Sequence, residues 1–275
     1  VTRPVTRPAP HPYFDAPRPP GSARAVAALA HRGFARPGGV DSGLENSMAA
    51  FQAAVDLGFR YVETDAHGTR DGVAVALHDE SLDRTTDAAG LVAELTWDVV
   101  RRARIGGTEP VPRLEDLLGT WPDLRVNIDV KAASGVVPVA ETIERTAAHD
   151  RVCVTSFSVA RRRATLARLS RPVATSAGTG EVVGFLAGAR LRLQPVARWA
   201  LRTVHALQVP VRQAGLTVVD RRSIDAAHAA GRHVHVWTIN DAAEMRRLVD
   251  LGVDGIVTDR ADLLREVLAE RGLWA

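Results

Sequence analysis

One cysteine, one lysine, two methionines and few aromatic residues occur in this 275-residue chain, and each scarcity removes a class of explanation. A single thiol, Cys153, can form neither an intramolecular disulfide nor a multi-cysteine zinc site. It lies between Val152 and Val154, where a small buried core side chain is the expected fate. No apolar run reaches the roughly 18 residues that a bilayer-spanning helix needs. The start, Val1-Thr2-Arg3-Pro4, lacks the apolar stretch of a secretory signal. The expectation is a soluble, cytoplasmic protein without stable membrane insertion.

Lysine is scarcer still relative to need, because 35 residues are basic and Lys131 is the one that is not arginine. The basic isoelectric point therefore reports arginine usage, since the formal net charge is only +3. The arginines are spread among 32 acidic residues and form no concentrated run, which argues against a nucleic-acid partner. Hydrophobic content of 46% and charged content of 24% are those of a globular chain, so collagen-like, broadly disordered and coiled-coil classes are excluded for the whole.

Residues 1–24 read as a Pro-rich N-terminal arm, extended or disordered, because seven prolines remove backbone donors and disfavour helix. Tyr13 and Phe14 are its candidate anchors to the body. Residues 25–275 read as one domain in which short apolar runs alternate with helical patterns, the signature of βα units. Strands are expected at Val26–Ala30, Tyr61–Asp65, Val126–Val130, Val152–Ser156, Val173–Thr175, Ala206–Val209, Val234–Trp237 and Gly255–Thr258. Helices are expected at Ser47–Leu57, Val137–Ala148, Val159–Leu169, Ser223–Ala230, Ala242–Leu251 and Ala261–Glu270. Eight such strands predict an α/β fold, a single TIM (β/α)8 barrel, with a doubly wound open sheet as the alternative.

In a barrel of this kind chemistry sits at the C-terminal ends of the strands. Glu63 and Asp65, at i and i+2 on one strand, share a face, and Asp129 comes from the next expected strand. A lone Glu-x-Asp pair is ordinarily two surface or salt-bridged acids. Three carboxylates facing one mouth call for neutralisation, and a hard divalent ion, Mg²⁺ or Ca²⁺, suits oxygen ligands without cysteine. His31 and His78 each end an apolar run and suit a general acid–base pair beside that cluster. Of the other histidines, His67 is the one close enough to the acidic pair to watch. Arg32 and Lys131 supply cations for an anionic substrate group, and Trp237 at the end of the seventh strand is expected to face the substrate. Together these residues imply phosphodiester cleavage.

The same residues resemble the glycerophosphodiester phosphodiesterase family. The matching pieces are His31-Arg32-Gly33, Leu44-Glu45-Asn46-Ser47, Glu63-Thr64-Asp65 through Thr69-Arg70-Asp71-Gly72 to His78-Asp79, and Leu82-Asp83-Arg84-Thr85-Thr86. Asn127-Ile128-Asp129-Val130-Lys131, Ser156-Phe157, Trp237-Thr238-Ile239-Asn240 and the run from Gly252 to Asp259 follow in order. The resemblance implies a barrel that hydrolyses glycerophosphodiesters to sn-glycerol 3-phosphate and an alcohol with one divalent metal ion. It implies His31 and His78 as the acid–base pair, Glu63, Asp65 and Asp129 as metal ligands, and Arg32 and Lys131 as phosphate contacts. It also implies attack by the glycerol 2-hydroxyl on phosphorus and a cyclic phosphate then opened by water. Leu44 stands where the family has proline, and Asp129, one methylene shorter, stands where it has glutamate, which bears on metal preference.

A phospholipase D-like enzyme acting on lysophospholipids with a cyclic phosphate product is the alternative, and a catalytically dead barrel is disfavoured because every chemical position holds a competent residue. Between Thr179 and Leu207 the family pattern fades. Apolar residues mixed with Arg190, Arg192, Arg198 and Arg202 there allow weak contact with a lipid surface, although a helix packed on the barrel is the preferred expectation. The implied partner is a small-molecule substrate, and the sequence leaves the oligomeric state open.

Overall fold

The computed structural model describes residues 8–22 and 24–274. Its centre is a ring of eight parallel strands: β1 (Ala27–His31), β2 (Tyr61–Gly68), β3 (Arg125–Val130), β4 (Val152–Thr155), β5 (Ala174–Thr175), β6 (Ala206–Val209), β7 (His233–Val236) and β8 (Gly255–Thr258). β1 pairs with both β2 and β8. The remaining seam, between β5 and β6, closes through one bridge from Ser176 to Ala206, flanked by the bonds Ala177 N to Ala206 O and His205 N to Thr175 O. Closure makes the fold the expected (β/α)8 barrel and excludes the open sheet. Seven strands end within one residue of their predicted bounds. β2 runs three residues further, because Ala74–Ala76 folds back on it in antiparallel register, Ala66 opposite Ala76.

The period of two along each strand sorts the side chains. Even positions such as Ala30, Val62, Val126, Ile128 and Ile256 point outward and are covered by helices, forming the larger core. Odd positions point inward on β1–β4, β7 and β8, whereas on β5 and β6 the inward residues are the even ones, Ala174 and Gln208. At the N-terminal end these are apolar, with Leu29, Tyr61, Cys153 and Val257 filling the bore, and Cys153 is fully buried as expected. One step further along the same faces they become His31, Glu63, Asn127, Asp65 and Asp129.

The six expected helices are present, among them α1 (Met48–Asp56), capped by Ser47 Oγ accepting from Ala50 N. The reading missed Leu114–Thr120, a short helix carrying Gly119 and followed by Pro122. The 179–207 segment forms two helices, Thr179–Arg190 and Gln194–Ala200, whose glycine and alanine content hides the 3.6-residue period. No helix among the described residues is long and apolar enough to cross a membrane.

The expectation of an extended or disordered arm falls partly on residues 1–7, which lie outside the described residues. Pro12–Phe14 is a 3₁₀ turn, so the arm is not extended there, and Tyr13 is fully buried in the N-terminal end of the bore. Tyr61 Oη donates to Tyr13 O at 2.8 Å, and Phe14 stacks on the His233 ring at 4.4 Å. Both predicted anchors therefore hold the arm to the body.

His235, on β7 beneath this cap, has an acid-stability consequence. Its ring touches Gly255 so closely that a Cβ there would lie 2.8 Å from Cδ2. Burial, then the neighbouring His233, lower its pKa to about 4, against 6.5 for an ordinary histidine, while Asp254 opposes the shift. The contribution to stability is complete above pH 6.5 and is lost as pH falls towards 4, roughly 2 kcal/mol by pH 5. Glu63, whose carboxyl is raised, acts in the opposite sense. The readout is therefore a difference: denaturant unfolding of wild type and His235→Asn should converge by that amount between pH 7.5 and pH 5. A pH-independent gap would mean His235 is not held neutral.

Candidate active site

The strand register gathers the polar odd positions at the C-terminal mouth. His31 lies opposite Glu63, and Asp65 lies opposite Asp129. His31, Arg32, Glu63, Asp65, His78, Asp129, Lys131 and Trp237, all predicted from sequence, line one cavity of about 530 Å³.

The turn after β1 places Arg32. Arg32 and Gly33 both lie in the left-handed region, with φ of 55° and 81°. A Cβ on Gly33 would come within 2.6 Å of the Ala50 carbonyl carbon, so the backbone of α1 packs where only glycine fits. Gly33→Ala should lower unfolding free energy by at least about 2 kcal/mol, from strain plus overlap, read by urea titration. Unchanged stability would show that the turn relaxes freely.

Arg32 Nε lies 3.2 Å from Asp65 Oδ2, and its Nη1 donates to Glu45 Oε1 at 3.0 Å. Asn46 Nδ2 also donates to Asp65 Oδ2, at 3.1 Å, while Asn46 Oδ1 accepts from Thr64 Oγ1. On the other side Lys131 Nζ stands 2.9 Å from Asp65 Oδ1 and 2.8 Å from Asp129 Oδ2. Burial alone raises a carboxyl pKa, but Lys131 and Arg32 outweigh it at Asp65 and hold that group ionised. The ammonium in turn loses to desolvation less than it gains from its two carboxylates, so Lys131 titrates above the ordinary lysine range.

Each histidine is oriented by a carboxylate at Nδ1. His31 Nδ1 lies 2.6 Å from Asp259 Oδ1, and Asn240 Nδ2 holds the other oxygen of Asp259 at 2.7 Å. His78 Nδ1 lies 2.6 Å from Asp79 Oδ1, and Arg84 bridges Asp79 to Glu45. A proton donated from Nδ1 to a carboxylate leaves Nε2 as the exchanging atom facing the cavity. Burial works to lower the His31 pKa, but Glu63 and Asp259 outweigh it and raise it. His67 Nε2 meets the His78 carbonyl at 3.1 Å, so the watched residue braces the backbone of His78.

The three expected metal ligands face one cavity without forming a cage. Among the described residues no group of three His, Cys, Asp or Glu side chains is placed to hold an ion, because Lys131 stands between Asp65 and Asp129. Two donors nevertheless remain undercompensated. Asp129 Oδ1 is buried with no hydrogen-bond partner. Glu63 is pushed up to about 7 by burial and then by Asp65. Undercompensated, buried carboxylate oxygens are the donor chemistry that a hard divalent ion takes, so the residues fit such an ion.

Sequence reasoning assigned no role to Asp259, Asp79, Asn46, Asn240, Glu45 or Arg84. All six lie inside the quoted motif segments, and a carboxylate beside or aligned with a histidine was the available signal. The other half of the cavity is apolar: Phe157 meets Trp237 edge to face at 5.8 Å, and Val182, Leu186, Leu216 and Val218 continue the wall.

Fold and mouth together define a (β/α)8-barrel enzyme with paired histidines over a carboxylate and cation cluster. Residues 31–263 match the model of the glycerophosphoryl diester phosphodiesterase family. The chain is 48% identical over 248 residues to the Mycobacterium tuberculosis protein named "Probable glycerophosphodiester phosphodiesterase 2", covering 90% of this chain and 92% of that one. The crystal structure of glycerophosphodiester phosphodiesterase from Agrobacterium tumefaciens superposes with a TM-score of 0.68 at 24% identity, covering 89% and 99% of the two chains. An Oleispira antarctica phosphodiesterase solved with the product sn-glycerol-3-phosphate gives a TM-score of 0.70 at 20% identity, covering 89% and 97%. The chain belongs to the glycerophosphoryl diester phosphodiesterase family and is a phosphoric diester hydrolase.

Proposed function

We propose that this enzyme hydrolyses glycerophosphodiesters to sn-glycerol 3-phosphate and an alcohol, using His31 and His78 as its acid–base pair and one divalent ion, Mg²⁺ or Ca²⁺. The observation that carries the reading is the pair of imidazoles, each fixed through Nδ1 by a carboxylate 2.6 Å away and both on the cavity that holds Arg32 and Lys131. The product bound in the Oleispira antarctica relative supports the substrate class.

Glu63, Asp65 and Asp129 would hold the ion, which when bound supplies positive charge to the phosphoryl oxygens. Arg32 and Lys131 bind and orient the phosphate. One histidine accepts the glycerol 2-hydroxyl proton at Nε2 as that oxygen bonds to phosphorus. The other donates its Nε2 proton to the departing alcohol oxygen as the P–O bond breaks. Water then opens the cyclic phosphate, with proton transfers reversed, and leaves sn-glycerol 3-phosphate. Trp237 and Phe157 form the wall that meets the alcohol.

The test is to strip the protein with chelator and follow glycerol 3-phosphate release from glycerophosphocholine and glycerophosphoethanolamine as Mg²⁺, Ca²⁺ or Mn²⁺ is restored. Release should fall at least tenfold on stripping and return with one of the ions. Full activity after stripping removes the metal from the proposal, and absence of release with every ion removes these substrates. The apolar half of the cavity favours a second reading, lysophospholipid cleavage, which lysophosphatidylcholine supplied in place of those substrates tests, an unopened cyclic phosphate as the final product marking it.

A further inference from the structure

The segment from Thr179 to Thr217 differs from the rest of the surface in both charge and packing. No acid occurs between Glu181 and Asp220, while Arg190, Arg192, Arg198, Arg202 and Arg212 all fall there. Elsewhere arginines are commonly paired with carboxylates, as Arg246 is with Glu270 and Arg271 with Asp250. None of these five reaches a carboxylate among the described residues. Arg190 donates to Thr217 O, and Arg202 donates to Trp199 O and lies 3.8 Å over the Trp199 ring.

Several large apolar side chains here face solvent. The helices Thr179–Arg190 and Gln194–Ala200 meet through small residues. A Cβ on Gly188 would fall 2.6 Å from Ala197 N, and Gly184 faces Ala200. Phe185 packs into the barrel core, but with the helix contact made by glycine and alanine other large residues are turned to the outside: Leu191 is 68% exposed and Trp199 65%, with Val183, Leu193 and Val196 also exposed. The short hairpin of Arg212–Gln213 and Leu216–Thr217 adds exposed Leu216, tied to the first helix by the Arg190 bond. Val183, Arg190 and Leu216 also line the catalytic cavity, so this surface is continuous with its mouth.

We propose that this helical pair and hairpin form a docking surface for an anionic lipid bilayer, which seats the catalytic mouth against the membrane. Charge complementarity selects the occupant. Unpaired guanidinium groups match lipid phosphates, and an exposed tryptophan with leucines and valines matches the boundary between head groups and acyl chains. This surface extends the sequence expectation for residues 179–207, because the helices do pack beside the barrel and still leave Leu191, Leu193, Val196 and Trp199 outside.

Flotation of the full chain with phosphatidylcholine vesicles, with and without phosphatidylglycerol, reads this directly and needs no catalytic activity. The protein should float with the anionic vesicles at least tenfold more than with neutral ones and should be released by added salt. Trp199→Ser with Leu191→Ser, and separately Arg192→Glu with Arg198→Glu, should each lose at least tenfold in binding, with circular dichroism and phosphodiesterase activity on a water-soluble substrate unchanged. These four residues lie outside the cavity, so their loss of binding is separable from any failure of the reaction. Absence of flotation, equal flotation with neutral vesicles, or undiminished flotation of both variants overturns the proposal. So does a dimer in sedimentation equilibrium that the same substitutions dissociate, which would assign the surface to a second copy of the chain.

Discussion

His31→Ala and His78→Ala should each lower kcat for glycerophosphodiester hydrolysis by roughly 10² to 10⁴, the usual worth of a positioned acid or base. The carboxylate contacts make a sharper comparison possible. Asp259→Asn keeps a side chain beside His31 Nδ1 but removes the anion that, with Glu63, raises the imidazole's pKa, so it should shift the pH–rate profile as well as its height. Asp79→Asn removes the carboxylate that orients His78 Nδ1 and cuts the link through Arg84 to Glu45, so it should lower kcat. Steady-state kinetics across pH decide this. Activity retained in both alanine variants would remove the histidine pair from the mechanism.

Lys131→Met should cost stability as well as activity. The ammonium sits within 3 Å of two carboxylates, one of them 1% exposed, and removing it leaves both buried charges without their principal partner. Breaking a buried pair in this way costs about 3–5 kcal/mol, and denaturant unfolding at neutral pH should show it. Lys131→Arg separates charge from shape. A planar guanidinium keeps the charge but cannot occupy a point between two carboxylates as an ammonium does, so stability should recover in part while kcat stays at least tenfold down. Full recovery of both would mean that the chain's one lysine reflects chance and not geometry.

Much of the fold was legible because strand and helix periods carry it locally. The same local rule explains how Glu63, Asp65 and Asp129 were found, since alternate residues on adjacent parallel strands must share the bore. Other features depend on distances in space that no local pattern encodes. His31 and Asp259 are 228 residues apart and meet because β8 closes the ring beside β1. Arg84 reaches Glu45 from 39 residues away. Lys131 was singled out by its rarity, but its position between Asp65 and Asp129, in place of a ready-made metal cage, depends on side-chain directions. A helix was expected between Thr179 and Leu207, but its bounds and its division in two were hidden for a related reason: the glycines of Thr179–Arg190 serve a close helix contact, so the sequence shows no polar and apolar stripe.

Tyr13 gives the barrel a floor. With that ring and its neighbours filling the N-terminal end of the bore, the catalytic chamber resembles a cup more than a tunnel. Substrate enters and both products depart across the same rim, so the alcohol and the glycerol phosphate share one doorway with the next molecule waiting to be cleaved. Turnover in such a vessel is a matter of traffic as well as chemistry, and the rim residues that meet an arriving molecule are also the last to touch a departing one.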